Sequence, residues 1–223
     1  MNPIDKILTD LNKEIYPAKL IAVSKTYPIE TIRVACQSGQ VLFGENRIQE
    51  GIEKFSILRS EGFPIELHHI GPVQSGTMKK LFKNFDYTHG VGSVSVLEKL
   101  SKESLKHESK LKFLIQLNLT SEDSKNGVTE KEFIEELSTI RNLQTDTLIF
   151  VGLMTMGPSS GDPIETENVF KNLKTIRDTY FPEGNLSMGM SGDYPLAIIH
   201  GANFVRIGSK IFGNRDYSLA GDS

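Results

Sequence analysis

The 223-residue sequence predicts an α/β fold, a single (β/α)8 TIM barrel forming one domain over residues 1–223. Three observations lead there. Short runs rich in Val, Ile and Leu alternate with helical patterns from end to end, giving eight strand segments. Strands separated by helices lie parallel, because a parallel neighbour is reached only by a crossover, and eight such units can close without leaving an edge. The first strand runs into Ser24-Lys25-Thr26 rather than into the GxGxxG turn that marks an open doubly wound sheet.

The elements follow in order. Residues 3–13 read as a leading helix, with Ile4, Ile7, Leu8 and Leu11 on one face. LIAVS (20–24) is the first strand; the helix from Pro28 to Ser38 has proline in its first turn and Gly39 as its stop. VLFG (41–44) is followed by a helix at 46–60, ELHHI (66–70) by one at 74–83, and YTHGV (87–91) by one at 93–106. KFLIQLNL (112–119) leads through a polar loop to a helix at 129–140. LIFVGLMT (148–155) precedes a helix at 163–180, NLSMG (185–189) a short one near 193–200, and FVRIG (204–208) is the eighth strand. No Pro/Gly-rich linker divides the chain.

Composition narrows the function. With 38% hydrophobic and 24% charged residues the chain reads as a cytoplasmic globular protein, and a net charge of −3 without a basic cluster argues against nucleic acid. MNPIDKILTD has no basic segment leading into an apolar run, and no stretch reaches membrane-spanning length. The one cysteine, Cys36, falls in a helix and reads as a packed thiol. His68 and His69 are adjacent on a strand, so they face opposite ways and do not share a metal.

In a barrel of this kind the functional groups sit where the strands end. That rule picks out Lys25, directly after LIAVS, where partial desolvation would free its amine for Schiff-base chemistry; a solvated loop lysine is the plainer alternative. Strands seven and eight carry Ser187, Gly208 and Ser209, able to hold phosphate through hydroxyls and N–H groups, or simply to make turns. Arg206 lies in the otherwise apolar FVRIG. It either pairs with a carboxylate such as Glu45, points outward, or donates to an acceptor on a bound ring. Asn46 is a helix cap or a ligand-facing amide. Met154 and Met188 pack inside the barrel, against a ring if one is bound.

These residues resemble, nearly from end to end, the pyridoxal-phosphate homeostasis protein family of the YggS and proline synthase co-transcribed homolog type. The resemblance is carried by Ala22-Val23-Ser24-Lys25-Thr26, by Phe43-Gly44-Glu45-Asn46-Arg47 with Gln49, and by Gly152-Leu153-Met154-Thr155-Met156. Leu186-Ser187-Met188-Gly189-Met190-Ser191-Gly192-Asp193 and Val205-Arg206-Ile207-Gly208-Ser209 with Ile211-Phe212-Gly213 complete it. It implies an alanine racemase-type barrel with pyridoxal 5′-phosphate as a Schiff base on Lys25 and Arg206 facing the pyridine nitrogen. It further implies phosphate on Ser187, Gly208 and Ser209, and Asn46 close by. Lys125 matches a second family lysine thought to take part in cofactor transfer. Two departures touch loops: Gly76-Thr77 replaces the family's Asn-Lys, and His89-Gly90-Val91-Gly92 replaces HSVD.

The resemblance implies a carrier that buffers or delivers pyridoxal phosphate to apo-enzymes, often as a monomer. A pyridoxal-phosphate-dependent amino-acid racemase is the alternative. Racemases of this fold add a second, β-rich domain with a catalytic tyrosine, which a chain ending just beyond the eighth strand leaves no room for; no barrel residue is an evident second acid/base, with Tyr194 and His69 the two left open.

Overall fold

The structure, a computed structural model, describes residues 2–120, 122 and 126–213. A leading helix α1 (Pro3–Ile15) precedes strands β1 (Lys19–Val23), β2 (Leu42–Glu45), β3 (Glu66–Pro72), β4 (Tyr87–Val91), β5 (Leu111–Gln116), β6 (Leu148–Met154), β7 (Asn185–Met190) and β8 (Phe204–Ile207). The strands pair in chain order, all parallel, and β8 closes on β1. Connecting helices are α2 (Ile29–Gln37), α3 (Ile48–Ser60), α4 (Val94–Ser104), α5 (Glu130–Asn142), α6 (Pro163–Tyr180) and α7 (Tyr194–Ile199); a one-turn helix α8 (Ser209–Phe212) follows β8. The expected (β/α)8 barrel is the observed one.

Several helix starts carry side-chain caps. Ser93 and Asp162 accept backbone N–H groups at the starts of α4 and α6, and Thr129 with Glu132 forms a capping box on α5. The helix expected at 74–83 does not form. Only one 3₁₀ turn, Met78–Lys80, forms there. Met78, Leu81, Phe82 and Phe85 are all buried, so the apolar spacing that suggested a helix is real. The backbone satisfies it differently: Thr77, Lys80, Leu81 and Asn84 each donate to the carbonyl three residues back, and Lys83 sits at φ 72°. Gly76 in the opening turn, with its low helix propensity, favours the shorter path.

Two apolar layers result from the two-residue period of the strands. Outward-facing residues pack against the helices, as Phe43 does on Phe55, ring centres 5.2 Å apart. Inward-facing Ile21, Tyr87, Leu114, Met154 and Phe204 fill the barrel. Met188 is buried in the outer layer, so the expectation that it packs inside the barrel is corrected: Ser187, its neighbour on β7, takes the inward direction and Met188 the outward one.

Strand β6 needs Gly152. A Cβ at that position would lie 2.1 Å from the carbonyl oxygen of Asn185, in register on β7. Gly152→Ala is therefore expected to destabilise the fold by about 1–3 kcal/mol, as overpacking does, measured by urea unfolding; an unchanged midpoint would count against the close strand approach.

Candidate functional site

The strand ends surround a cavity of about 470 Å³. Lys25, Asn46, Met154, Arg206, Gly208 and Ser209 all line it. The expected site residues from opposite ends of the sequence thus meet in one place, with the single exception of Ser187.

Lys25 occupies the turn after β1 and is half-buried. Its neighbours hold it there. Ser24 donates its hydroxyl to Glu45 Oε1 at 2.8 Å, and the Ser24 carbonyl accepts from Lys54 Nζ at 2.8 Å. Thr26 adopts φ 69°, a left-handed conformation costly for a β-branched residue. Its N–H donates to Glu50 Oε1 at 2.7 Å. Both backbone flanks of Lys25 are thus tied to α3, through Lys54 and Glu50. Strain at a turn tied down on both sides is what a backbone fixed by its surroundings displays.

Arg206 is buried and points into the barrel. It does not pair with Glu45, which faces α3 and bonds Lys54 at 2.6 Å. Instead Arg206 Nη1 donates to Ser187 Oγ at 2.6 Å and Nη2 to the Thr155 carbonyl at 3.0 Å. Burial pushes its guanidinium down to about 10, which leaves it cationic at neutral pH. The cavity is therefore lined by two nitrogen bases, Lys25 and Arg206, and by no acidic side chain among the described residues.

Ser187 departs from the expectation. Its hydroxyl is fully buried, engaged by Arg206 and by His89 Nδ1 at 2.8 Å, and it lies outside the cavity lining. It supports Arg206 rather than facing a phosphate, because β7 aims it into the barrel below the mouth. Gly208 and Ser209 do reach the cavity, at the start of the one-turn helix α8. Backbone N–H groups there have no acceptor within the helix and suit an anion.

Asn46 resolves in favour of the cavity. Arg47 is the residue capping α3, without a side-chain cap bond, so the Asn46 amide is not used as a helix cap. Met154 belongs to the inner apolar cluster and also reaches the cavity wall. Lys125 lies outside the described residues. At Gly76 a side chain would meet nothing within 4 Å, so that departure from the family pattern leaves open space.

Sequence reasoning passed over several lining residues. Gln116 was missed because β5 ends there and not at 119; its amide donates to the carbonyl of Asn126, which also lines the cavity, at 2.7 Å. Ser191 and Gly192 followed from the strand-end rule but had no distinguishing chemistry. Neither candidate acid/base lines the cavity. Tyr194 bonds Glu14 at 2.6 Å and also Lys210. His69 bonds Thr88 at 3.0 Å, packs on Phe85, and is pushed down to about 4 by burial. Cys36 is buried and its thiol pushed up to about 11 by desolvation, which suits packing. Among the described residues no cluster of His, Cys, Asp or Glu suits a metal, and no helix is long and apolar enough to cross a membrane.

The chain has relatives of known type. The family profile described as alanine racemase, N-terminal domain, matches residues 5–216. A pyridoxal phosphate homeostasis protein of Vibrio alginolyticus is 42% identical over 207 residues, covering 90% of this chain and 88% of the relative. Its counterpart from Haemophilus influenzae is 36% identical over 223 residues, covering 97% and 93%. Among solved structures, PipY of Synechococcus elongatus with PLP bound is 32% identical, with a TM-score of 0.85 over 94% of this chain and 100% of that one. An alanine racemase from Clostridium difficile shares the fold alone, at 17% identity and a TM-score of 0.73, matching 95% of this chain and 56% of that one.

Proposed function

The chain belongs to the family of pyridoxal phosphate homeostasis proteins, built on the alanine racemase N-terminal domain, and from that premise we propose that it binds pyridoxal 5′-phosphate in the strand-end cavity, attached to Lys25. One observation carries the proposal. An amine, a buried guanidinium and the N–H groups after β8 line one cavity, and they match the aldehyde, the ring nitrogen and the phosphate of that molecule.

When bound, the cofactor supplies an aldehyde that condenses reversibly with a primary amine. The chain's own residues do the rest. The Lys54 and Glu50 bonds aim the Lys25 amine. Arg206 donates to the ring nitrogen and, being itself cationic, disfavours protonation there. Gly208 and Ser209 take the phosphate. Met154 and Asn46, which line the same cavity, would flank the ring.

The same geometry favours a carrier over an amino-acid racemase. Racemisation needs a second proton donor and acceptor across the substrate carbon. The described lining residues supply the Lys25 amine and the Arg206 guanidinium, and no carboxylate, histidine or tyrosine. We read the protein as a one-domain, monomeric, cytoplasmic store that gives up its cofactor to apo-enzymes.

Borohydride treatment after incubation with pyridoxal phosphate, followed by peptide mapping, is expected to place the added mass on Lys25. Arg206→Leu is expected to weaken binding roughly ten- to hundredfold, the range for losing a hydrogen bond made by a charged group. Added mass on another lysine, or unchanged affinity in the Arg206 variant, would overturn the assignment. Stereoinversion of a free amino acid at enzymatic turnover would overturn the carrier reading.

A further inference from the structure

We infer that a one-way chain of hydrogen bonds through the barrel interior, Arg206 to Ser187 to His89 to His68 to Glu66, makes Ser187 and His89 positioning residues for the ring of the bound cofactor. The inference rests on the reading that Arg206 donates to the ring nitrogen.

The links are short. Arg206 Nη1 to Ser187 Oγ is 2.6 Å, Ser187 Oγ to His89 Nδ1 2.8 Å, His89 Nε2 to His68 Nδ1 2.9 Å, and His68 Nε2 to Glu66 Oε1 3.1 Å. A histidine nitrogen either donates or accepts, so the direction has to be settled, and both ends settle it alike. A guanidinium only donates, so Ser187 accepts from it and has its one proton for His89. A carboxylate only accepts, so His68 carries its proton on Nε2. Its Nδ1 then accepts, His89 Nε2 donates, and His89 Nδ1 accepts the serine proton. Reversing the middle links would require a doubly protonated His68, which is fully buried and held below its ordinary value by desolvation. Every donor meets an acceptor only in this one arrangement, with both rings neutral.

The rings are also held in place. Tyr87 stacks on His68 with centres 4.4 Å apart and planes 7° from parallel, and Phe204 presents its edge to both histidines at 5.5 and 5.9 Å. A flipped ring would put carbon where nitrogen now bonds and break two links.

Such a chain does not conduct protons, because it begins on a group that does not give its proton up near neutral pH. It clamps. Ser187 cannot rotate without losing His89, so it fixes one Nη atom while the Thr155 carbonyl fixes the other. Two of the five guanidinium N–H groups are used in this way, and Arg206 also lines the cavity. The aligned dipoles, together with the carboxylate of Asp193, favour the positive charge that burial opposes. The ring nitrogen is thereby kept an acceptor.

Two measurements test this. In the cofactor-free protein, long-range ¹H–¹⁵N spectra of the histidine side chains are expected to show His68 and His89 neutral and protonated on Nε2; a proton on Nδ1 of either overturns the chain. With pyridoxal phosphate labelled with ¹⁵N in its ring, the unaltered protein is expected to give an unprotonated signal. Ser187→Ala and His89→Leu are expected to move it towards the protonated position and to weaken binding about tenfold. Glu66→Gln, whose amide carbonyl still accepts from His68, is expected to keep both tautomers. If His89→Leu does not fold, the small truncation Ser187→Ala decides. A parental ring signal and affinity in Ser187→Ala overturn this inference alone. Absence of cofactor on Lys25 in the unaltered protein, or a ring signal unmoved by Arg206→Leu, overturns the reading of the site and this inference with it.

Discussion

Lys25→Ala is expected to abolish covalent retention of pyridoxal phosphate, with borohydride-fixed adduct falling to background and bound cofactor lost on gel filtration. The geometry makes the effect specific. The substitution removes the amine but leaves the turn around it, whose fixed points are the Ser24 carbonyl and hydroxyl and the Thr26 N–H. Arg206, Gly208 and Ser209 stay in place, so a weak, rapidly exchanging, non-covalent affinity is expected to survive. Stability of the cofactor-free protein is expected to change by about 1 kcal/mol or less, as for a partly exposed side chain outside the core. The comparison has to be made without cofactor, because a ligand bound to the folded state raises the apparent stability of the unaltered protein alone. Retention of fixable adduct in the variant would move the attachment point to another lysine and undo the proposed site.

How far the sequence reveals this arrangement depends on which physical signal each part carries. The barrel was legible because β-rich runs and helical periods alternate eight times over, and closure follows from that repetition. That Lys25, Arg206, Gly208 and Ser209 share one cavity was legible because all four follow from strand ends, which such barrels gather at one mouth. The helix after β3 was misread. Met78, Leu81, Phe82 and Phe85 have helical spacing, and buried spacing alone does not distinguish an α-helix from successive 3₁₀ turns. Ser187 lies one layer beneath Arg206, in register with Phe204. A strand's alternation says that Ser187 faces inward, but not whether it lies at the mouth or beneath it; only the register of β7 against β8 tells that. The interior pair His68 and His89 had no local signature, since a link between two strands depends on shear between them. The same holds for Glu45: from the sequence it was a possible partner for Arg206, and the two-residue period of β2, with Phe43 facing α3, is what turns it to Lys54 instead.

Removing that lysine is expected to have the largest effect on stability. Glu45 is fully buried, and among the described residues its Oε2 has no hydrogen-bond partner. Burial pushes its carboxyl up to about 7 even with Lys54 Nζ 2.6 Å from Oε1. The sign follows from linkage. The folded state holds the Glu45 proton more tightly than the unfolded chain, so this group's contribution is fully present below the ordinary carboxylate range and is lost as pH rises through about 7. Lys54→Met takes away the counter-charge and raises that proton affinity further. At pH 8.5 the variant is expected to lose about 3–5 kcal/mol, the cost of leaving one partner of a buried pair unmatched. At pH 5.5 Glu45 is protonated in both proteins, and the loss is expected to shrink to about 1–2 kcal/mol, for the bonds to the Ser24 carbonyl and Glu50. Urea unfolding at the two pH values measures the difference, and equal losses would show that Glu45 is not the group responsible. The same ammonium also holds Ser24, and through Glu50 it steadies the Thr26 N–H. Folded Lys54→Met protein is therefore expected to bind pyridoxal phosphate more weakly as well, because the turn that aims Lys25 loses its Ser24 anchor and the cation that steadies Glu50 at Thr26.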